Sequence, residues 1–432
     1  MLKKIIQFKL KILADLTLKK YKPKIVAITG SFGKTSTKEA VYAVLKEKFK
    51  IRQSFKNYNN ELGVPLTILG QESAGKNIFK WIIIFLQACA GLLFKKNYPE
   101  ILVLEIAADK PGDIQYLTQF IKPDLVILTG IGTSHLEFFQ NRESLAKEKL
   151  ELLKALKKDG IVILDPQNIV NIKDLEINEN RIILNKKTER TLFTYGFSDK
   201  TELQGFDFKY NSLANGISFK TKWNNEVSDI TLPKVHSFHQ SSAALAGIAC
   251  GLVFKMNLKQ TADGVRNFDS PLGRMNLIAG IKNSWILDDT YNASPESTCS
   301  ALTALKALAF DRRKVFIFGD MLELGTYTEE GHRKVGKKAL ESGADLFLTI
   351  GDRANFASDE ARKNGMDPEK IKEFDRQSEL LPILEKYIKP NDLILVKGSQ
   401  GARMEKVVED IMADPMNAKN ILVRQDKEWI KK

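Results

Sequence analysis

The stretch KIVAITGSFGKTS (24–36) decides the fold of this chain. It opens with a β-branched apolar run that predicts a buried strand, and it leads into residues 34–48, whose apolar positions have helical spacing. Between the two lies GSFGKTS (30–36), where glycines let backbone N–H groups approach a phosphate at the start of a helix. The strict pattern has glycine at the position of Ile28, so this loop is a shortened variant. We therefore predict a phosphate-binding loop (P-loop) between a strand and a helix.

Apolar runs of the same kind recur further along the chain, with helical stretches between them. The predicted strands that follow are ILVLEIA (101–107), LVILTGIG (125–132) and GIVILD (160–165), and the predicted helices are 111–120, 143–158, 238–255 and 258–268. Because near-continuous apolar strands alternate with helices, we predict a parallel sheet that is covered on both faces. Residues 191–233 contain short alternating segments and turn residues instead, which favours an antiparallel extension.

A second alternation of strands and helices begins near residue 270. Its predicted strands are 285–290, 314–320, 345–351 and 392–398, and its predicted helices are about 295–308, 329–342, 377–388 and 401–413. We predict an α/β chain with a basic amphipathic N-terminal helix (1–22), a P-loop-type central parallel-sheet domain (23–268) and a smaller Rossmann-like C-terminal α/β domain (269–432). An apolar insert (78–96) lies inside the central domain.

Composition and charge exclude several classes of protein. Of the 432 residues, 43% are hydrophobic and 28% are charged, which excludes a disordered chain. The three cysteines (Cys89, Cys250 and Cys299) lie far apart, which argues against a disulfide framework or a thiolate zinc site and fits a reducing compartment. The formal net charge is +13, yet no nucleic-acid-binding signature accompanies it, so we expect no nucleic-acid partner.

Two segments raise the question of membrane contact. Residues 1–24 carry eight lysines and one acidic residue among spaced apolar positions, which is typical of a basic amphipathic helix. The run WIIIFLQACAGLLF (81–94) is flanked by lysines, but its 14 residues are too few for a typical membrane-spanning helix. Two interpretations stay open: the helices pack on the P-loop domain, or they make peripheral contact with the membrane. We expect a cytoplasmic chain, in the second case at the inner face of the membrane.

Polar residues at the ends of predicted strands can complete the phosphate site. Glu105 ends the strand ILVLE and His135 follows LVILTGIG, so both are expected at the sheet edge where open α/β sheets bind ligands. Each residue alone is also explained as a polar strand end. Together, beside a P-loop, they predict a Mg²⁺ shell. Lys149 lies 14 residues after His135 in the next predicted helix, near Lys147, and by itself it fits a surface lysine.

Nine motifs follow one another along the chain in an order that carries a resemblance. They are GSFGKTS, NYNNELGVPLT (57–67), LEIAADKPGDI (104–114), SHLEFF (134–139), AKEKLELL (146–153), PLGRM (271–275), LDDTYNASPES (287–297), FGDMLELG (318–325) and LVKGSQGARMEKVVE (395–409). The set resembles that of the Mur ligases, the ATP-dependent amide-forming enzymes of peptidoglycan precursor synthesis, over about residues 24–415. DDTYNAS and GDMLELG are most similar to the members that add D-Ala-D-Ala to a UDP-MurNAc-tripeptide.

The resemblance implies a central ATPase domain and a ligase reaction in two steps. ATP phosphorylates a peptide carboxylate, and an incoming amine then attacks the acyl phosphate to form an amide. The implied cofactors are ATP, two Mg²⁺ ions and a carbamylated lysine. The implied partners are a peptidoglycan precursor peptide and D-Ala-D-Ala, and we expect the chain to act as a monomer.

The resemblance also assigns roles to individual residues. Lys34 would hold the transferring γ-phosphate, Thr35 and Glu105 would bind one Mg²⁺, and Glu105 and His135 would bind the other. Lys149 matches the family's carbamylated lysine, which completes a catalytic set of four with Lys34, Glu105 and His135. The residues implied in ATP binding are Thr29, Gly30, Ser31, Phe32, Gly33, Lys34, Thr35, Ser36, Arg274, Asp289, Tyr291 and Asn292. The residues implied in substrate binding are Asn59, Asn60, Lys397, Ser399 and Arg403. The two asparagines also fit turn positions.

The sequence departs from the family pattern in several places. His239-Gln240 stands where relatives usually have His-Asn, Ser294 replaces the second asparagine of DDSYNAN, and Gln400 replaces the arginine of LVKGSR. Only about 28 residues precede the P-loop, where the family carries a domain that grips the UDP part of the substrate, so we expect that domain to be absent. An alternative function is therefore a Mur-like amide ligase that acts on a lipid-linked or other non-UDP acceptor.

Three further functions are weighed against a ligase of this kind. A Mur-like amidotransferase subunit is disfavoured because four clustered cysteines are absent, and folate polyglutamate ligases share the fold but not DDTYNA or GDMLELG. A non-enzymatic ATP-binding scaffold would be indicated by loss of Lys34, Glu105 or His135, and all three are present. Taken singly, Arg274 also fits a surface ion pair and Asp289 a turn.

Overall fold

Two β-sheets, each with helices on both faces, organise the chain. The computed structural model describes residues 2–55, 58–94, 97–132, 137, 139, 141–169, 172, 175–178, 180–184, 188–426 and 429. The helices are α1 (Leu2–Tyr21), α2 (Lys34–Leu45), α3 (Gly63–Leu69), α4 (Ile78–Leu93), α5 (Asp113–Thr118), α6 (Arg142–Lys154), α7 (Phe238–Val253), α8 (Leu258–Val265), α9 (Pro295–Ala309), α10 (Thr328–Glu341), α11 (Asn355–Lys363), α12 (Gln377–Tyr387), α13 (Glu405–Ile411) and α14 (Ala418–Ile421). The strands are β1 (Lys24–Thr29), β2 (Ile51–Gln53), β3 (Ile101–Glu105), β4 (Leu125–Leu128), β5 (Ile161–Leu164), β6 (Leu175–Asn178), β7 (Arg181–Leu184), β8 (Thr188–Gly196), β9 (Leu203–Tyr210), β10 (Ile217–Trp223), β11 (Glu226–Leu232), β12 (Asn276–Ala279), β13 (Trp285–Asp289), β14 (Lys314–Gly319), β15 (Leu346–Ile350), β16 (Ile371–Phe374) and β17 (Leu393–Lys397).

The first sheet is parallel through its centre and antiparallel at one end. Among the described residues its strand order is β11-β10-β9-β8-β5-β4-β1-β3-β2, and β6 and β7 form a hairpin attached to β8. The pairs from β2 to β9 along this order are parallel, whereas β9, β10 and β11 pair antiparallel. β1 lies between β3 and β4, so the loop after β1 emerges beside the ends of both. The prediction of a parallel α/β sheet is confirmed, and its antiparallel extension is present.

The central strands send their side chains alternately into two cores, because every second residue of a strand faces the same side. Val26 and Ile28 of β1 pack with α2, α7 and α8. Ile25 and Ala27 pack on the opposite face with α1, α3, α5 and α6. Burial on both faces explains why the strand sequences are apolar throughout rather than alternating.

The second sheet belongs to a smaller α/β unit. Its strand order is β12-β13-β17-β14-β15-β16 within the described ranges, and every pair is parallel except β12 with β13. Helices α9, α10 and α11 cover one face, and α12, α13 and α14 cover the other. The predicted Rossmann-like arrangement is confirmed in this part of the chain. The domain boundary predicted near residue 269, which stays a prediction, falls between α8 and β12.

α1 and α4 lie side by side on the unit built around the first sheet. Leu10 of α1, Leu66 of α3 and Trp81 of α4 are buried together in one small core. The Tyr21 hydroxyl donates a hydrogen bond to the Gly91 carbonyl at 2.6 Å, which joins the ends of the two helices. Both helices therefore pack on this unit, as expected from the first of the two interpretations, in which they pack on the P-loop domain. In the ranges that the structure describes, no helix is long and apolar enough to cross a membrane.

Several short elements carry too little local pattern to be predicted from the sequence. α11 packs through the small side chains of Ala357, Ser358 and Ala361, so its nine residues include few of the large apolar side chains that mark a helix in the sequence. β12 and β16 are four-residue strands at the two edges of the second sheet. α13 begins at Glu405, later than predicted, because Arg403 adopts a left-handed φ of 52° that interrupts the helix.

Candidate active site

The loop after β1 is held against the chain that follows β4. Gly30 has a φ of 154°, and a Cβ placed there would stand 2.0 Å from the Thr129 Oγ1. Gly33, the residue before α2, has a left-handed φ of 77°. The Ser31 N–H donates to the Gly130 carbonyl at 2.8 Å. Because glycine alone tolerates both the close approach and the positive φ, the two glycines of the loop set its path to the N-terminus of α2.

Two hydroxyl groups of this loop are available to a ligand. The Thr29 Oγ1 and the Ser31 Oγ are buried, and no described residue forms a hydrogen bond with either. A buried polar atom without a partner is unfavourable, so such atoms mark places where a ligand or water completes the structure. They lie next to the N-terminus of α2, whose free N–H groups and dipole favour an anion.

Lys34, the first residue of α2, reaches back over the loop. Its Nζ donates to the Gly30 carbonyl at 2.7 Å. Burial lowers the pKa of the Lys34 ammonium, the Glu105 carboxylate opposes this effect, and the positive charge of Arg274 adds to it. A phosphate group bound between the Lys34 ammonium and the Arg274 guanidinium would stabilise both positive charges, because electrostatic attraction is strong where water is excluded.

Glu105 joins the end of β3 to the P-loop and to the loop before α3. Its Oε1 accepts hydrogen bonds from the Thr35 hydroxyl at 3.3 Å and from the Asn59 amide at 3.1 Å. Its Oε2 is buried and has no hydrogen-bond partner among the described residues, with the Lys38 Nζ 4.0 Å away. A carboxylate with a free oxygen beside a hydroxyl is a donor set that suits Mg²⁺. The predicted neighbours Thr35, Glu105 and Asn59 are thus brought together.

Lys149 is buried in α6, whereas its neighbour Lys147 is not. Lys149 is 1% exposed, and burial together with the nearby charge of Lys34 lowers its pKa to about 7. The Lys147 side chain is 59% exposed and forms an ion pair with Glu143 at 3.0 Å. The sequence offered both lysines, and the structure singles out Lys149 as the one whose environment is unusual for a lysine.

His135 lies outside the described residues, so its predicted place in the Mg²⁺ shell stays a prediction. Within the part of the chain that the structure describes, no three or more His, Cys, Asp or Glu side chains are grouped to hold a metal ion. Glu105 and the Thr35 hydroxyl, which are hydrogen-bonded to one another, are the two oxygen donors of the predicted Mg²⁺ shell that the structure describes.

A buried ion pair lies on the side of the site that the second sheet provides. Asp289 ends β13 and Lys397 ends β17, in register in neighbouring strands, with the Lys397 Nζ 2.6 Å from the Asp289 Oδ2. The Lys397 Nζ also donates to the Asn292 carbonyl at 2.9 Å. The Arg274 guanidinium lies 4.3 Å from the centre of the Tyr291 ring. Lys397, predicted among the substrate residues, thus contacts two residues of the predicted ATP set.

A cavity separates the P-loop from the second sheet. Its lining includes Phe32, Gly33, Thr35 and Ser36 of the first unit, His239 and Gln240 of α7, and Arg274, Asp289 and Lys397. The His239 ring lies 5.8 Å from the Phe32 ring, and burial lowers the pKa of His239. The Gln240 amide donates to the Arg274 carbonyl at 2.8 Å. The pair His239-Gln240, which departs from the family pattern, therefore borders the site.

The other three residues of the predicted substrate set also have partners within the protein. The Asn60 Oδ1 accepts a hydrogen bond at 3.0 Å from the backbone at the start of α3, as a turn residue does. The Ser399 Oγ accepts one from the Leu322 N–H at 2.8 Å. Arg403 donates to the Glu405 Oε1 at 2.6 Å. The substrate roles of all five residues, Asn59, Asn60, Lys397, Ser399 and Arg403, stay predictions.

The sequence reasoning missed two charged residues that border the site. Lys38 is 1% exposed, donates to the Ser54 carbonyl at 2.9 Å and stands 4.0 Å from Glu105. Lys38 lies one helical turn after Lys34, so both are on the same face of the helix, and this spacing could have predicted that Lys38 is near the site. Arg424 donates to two backbone carbonyls in the loop after β13, at 2.6 and 3.0 Å. The contact spans more than a hundred residues of sequence, so no local pattern reveals it.

Comparison with known families and proteins agrees with this geometry. Residues 28–79 and 87–251 match the Mur ligase middle domain, and residues 273–400 match the glutamate ligase domain of Mur ligases. The UDP-N-acetylmuramoyl-tripeptide–D-alanyl-D-alanine ligase of Bacillus subtilis is 28% identical over 94% of this chain and 79% of its own length. The ligase of the same name from Rickettsia prowazekii is 30% identical over 90% of this chain and 78% of its own length.

Solved structures are similar over most of the chain. MurF from Acinetobacter baumannii has a TM-score of 0.77 and 25% identity, covering 94% of this chain and 81% of its own. MurF from Thermotoga maritima, solved in complex with ADP, shares the fold with a TM-score of 0.72 and 24% identity, covering 94% of this chain and 83% of its own. With its P-loop, the adjoining carboxylate and both matched domains, this chain belongs to the Mur ligase family of ATP-dependent amide ligases.

Proposed function

We propose that the chain is an ADP-forming ligase that joins D-Ala-D-Ala to the peptide carboxylate of a UDP-MurNAc-tripeptide. The observation that carries the proposal is the cavity between the P-loop and the second sheet. Thr35 lines it on the P-loop side, and the paired Asp289 and Lys397 line it on the other side. The proposal also draws on relatives of that name, which align with 90% or more of this chain. A site of this kind brings ATP and a carboxylate together under positive charge.

The proposed reaction has two steps, both of which need charge compensation. A carboxylate oxygen of the acceptor bonds to the γ-phosphorus of ATP, the bond to the β–γ bridging oxygen breaks, and ADP leaves. The amine nitrogen of D-Ala-D-Ala then bonds to the acyl carbon, phosphate leaves, and the nitrogen releases its proton to solvent. Lys34 contacts the γ-phosphate and stabilises the charge that it carries during transfer.

Two Mg²⁺ ions belong to the proposal. The Thr35 hydroxyl and the Glu105 carboxylate would hold one, and Glu105 with His135 would hold the other. The Glu105 Oε2 is buried, accepts no hydrogen bond from a described residue and has the Lys38 Nζ only at 4.0 Å, which supports this assignment because a cation bound directly would satisfy it. When bound, the ions offset the repulsion between the phosphates and the acceptor carboxylate.

A carbamate on Lys149 belongs to the proposal as well. Only a neutral amine adds CO₂, and a pKa of about 7 leaves Lys149 largely uncharged at slightly alkaline pH. The two lysines Lys149 and Lys34 repel one another when both are charged. A carbamate converts this repulsion into attraction and adds an acidic group that supports the metal site.

The proposed active form is a monomer. The groups that line the cavity come from both sheets of one chain, so the chain needs no second copy to complete this wall of the site. Thr35 and Ser36 come from the first unit, and Asp289 and Lys397 come from the second. The two units can therefore approach or separate around ATP within a single chain, as the domains of many kinases and ligases do.

The proposal is tested by measuring ADP release over a panel of acceptors and amines. We expect release to require both UDP-MurNAc-tripeptide and D-Ala-D-Ala, with a product whose mass equals the two minus water. D-Ala alone and L-Ala-L-Ala should give no product. Release with a lipid-linked peptide and not with the UDP acceptor would favour the alternative acceptor. ADP release that needs no acceptor at all would contradict a ligase.

A further inference from the structure

α1 has two apolar faces, of which only one is used for packing. Leu10 lies at the centre of the buried face. On the other side Ile5, Phe8, Ile12 and Leu16 follow one another at intervals of three or four residues, which places them in one stripe along the helix. These four side chains are between 43% and 63% exposed. A helix that only covers a domain has a polar outer face, so this stripe is unusual.

α4 repeats the arrangement. Its packed face consists of Trp81, Ile84, Ala88 and Gly91. Its outward side carries large apolar side chains that are between 50% and 80% exposed, namely Ile78, Phe79, Ile82, Ile83, Leu86 and Leu93. We call the exposed stripes of the two helices, Ile5, Phe8, Ile12 and Leu16 with these six residues, the docking face. An apolar surface of this extent marks an interaction site.

The two helices run side by side in the same direction. At their C-terminal ends the Lys20 Nζ donates to the Leu92 carbonyl at 2.8 Å. Closer to their N-terminal ends the Lys9 Nζ lies 5.6 Å from the centre of the Phe85 ring. The family match covers residues 28–79 and 87–251, so α1 and the middle of α4 fall outside it. Ile78, Phe79 and Leu93 lie within the matched ranges, whereas the other seven residues of the docking face lie outside them.

The charges around the docking face indicate what it binds. α1 contains six lysines and one acidic residue, Asp15, and α4 contains Lys80 and no acidic residue. Lys4 and Lys80, within the two helices, and Lys76, two residues before α4, are exposed. Lysine is depleted at the centres of protein interfaces, whereas basic amphipathic helices rich in lysine bind anionic lipid. Positive charge around an apolar surface complements a bilayer with anionic headgroups.

We propose that α1 and α4 dock the protein on the surface of an anionic phospholipid bilayer. The stripes enter the boundary between headgroups and acyl chains, and the lysines remain among the headgroups. Attachment is peripheral and reversible, since each lysine strengthens partitioning by about fivefold and this contribution weakens as salt screens it. The inference goes beyond the ligase reaction and does not depend on it.

The test is flotation of the full chain with vesicles of phosphatidylcholine, alone or mixed with phosphatidylglycerol. We expect flotation with the anionic vesicles at low salt and a clear loss at high salt. Phe8→Gln and Phe79→Gln should each lower the partition coefficient about tenfold. The matched control Phe310→Gln, at another exposed phenylalanine, should float like the parent protein. A protein that stays in the bottom fraction with anionic vesicles at low salt contradicts the proposal.

A charge series and a solution measurement distinguish lipid docking from a net-charge effect and from self-association. Lys4→Gln with Lys80→Gln should weaken flotation, while Lys363→Gln with Lys419→Gln in the second unit should not. Equal loss of flotation in both pairs would show that only the net charge of the protein matters, and would contradict binding through the docking face.

Sedimentation velocity without lipid identifies self-association. If the parent protein is a dimer, and Phe8→Gln and Phe79→Gln make it monomeric, the docking face binds a second copy of the chain instead of lipid. Unchanged ADP release and melting temperature in the variants show that the fold is intact.

Discussion

The Lys397 ammonium and the Asp289 carboxylate form a buried pair, 2.6 Å apart, at the ends of two neighbouring parallel strands. The Lys397 side chain is 0% exposed and that of Asp289 is 8% exposed. Burial lowers the pKa of Lys397, while the charge of Asp289 and its hydrogen bond to Lys397 oppose that effect. Each charge is therefore tolerated because the other is present, and the pair behaves as one unit.

Removing one member of this pair should cost more stability than replacing both. We expect Asp289→Asn to lower the free energy of unfolding by about 3 kcal/mol, because it leaves the Lys397 ammonium buried without a counter-charge. The double variant Asp289→Asn with Lys397→Met should recover part of the loss. Urea denaturation of four proteins (wild type, Asp289→Asn, Lys397→Met and the double variant), followed by circular dichroism, measures the difference. Additive losses would show that the two side chains are independent.

Lys34→Ala should reduce acceptor-dependent ADP release by about a hundredfold or more, because the positive charge over the transferring phosphate is lost. The matched control is Lys46→Ala, which removes an exposed lysine just beyond the other end of the same helix. Its activity should be unchanged. Near-normal turnover in Lys34→Ala would refute the role given to the P-loop lysine.

Glu105→Gln should raise the Mg²⁺ concentration needed for half-maximal activity by about tenfold to a hundredfold. The amide keeps the hydrogen-bonding shape of the side chain but removes the charge that the cation requires. A Mg²⁺ titration of ADP release gives the value. Glu151→Gln, which alters only a partly exposed ion pair with Lys154 on α6, is the control. An unchanged Mg²⁺ requirement in Glu105→Gln would place the ion elsewhere.

Lys149→Ala should be nearly inactive and should regain activity when short carboxylic acids are added, since these can replace the carbamate. Lys147→Ala, at the exposed neighbouring lysine, should keep full activity. Protein equilibrated with ¹³C-bicarbonate should show one carbamate carbon signal that Lys149→Ala lacks. The signal should grow as the pH rises through about 7, where the amine becomes neutral. The opposite result for the two alanine variants would identify Lys147 as the functional lysine.

His332 should make the second unit sensitive to acid. Its Nε2 accepts a hydrogen bond from the Met321 N–H at 3.0 Å, and burial lowers its pKa to about 4. Because the folded pKa lies below the ordinary value of about 6.5, the stability contributed by neutral His332 is complete above pH 6.5 and is lost as the pH falls towards 4. The loss should reach about 3 kcal/mol.

The comparison of wild type with His332→Gln isolates this contribution from other titrating groups. The difference in unfolding free energy between the two proteins should shrink by about 3 kcal/mol between neutral pH and pH 4. Urea titrations at a series of pH values give the difference. A constant difference over that range would mean that His332 does not titrate in the folded protein.

The sequence predicted those features that depend on local pattern. The strands of both sheets were predictable because they are apolar runs. The loop at Gly30 and Gly33 was predictable because its backbone conformation and close contacts require glycine at these positions. Lys149 could be chosen over Lys147 only through the family resemblance, since burial depends on how α6 packs. Contacts such as those of Arg424 with the loop after β13 were not predictable, because they join positions that share no local signal.

The position of β1 between β3 and β4 has a consequence for synthesis of the protein. The Thr129 hydroxyl donates to the Phe32 carbonyl across 97 residues of sequence, and Glu105 reaches Thr35 across 70. While only the segment up to GSFGKTS has been synthesised, the chain still lacks Glu105 and Thr129, which hold this loop in shape. The loop reaches its observed shape only when the segments that carry Glu105 and Thr129 have been made and have folded against it. Synthesis of the phosphate loop therefore precedes, by 97 residues of sequence, synthesis of the threonine that holds it in shape.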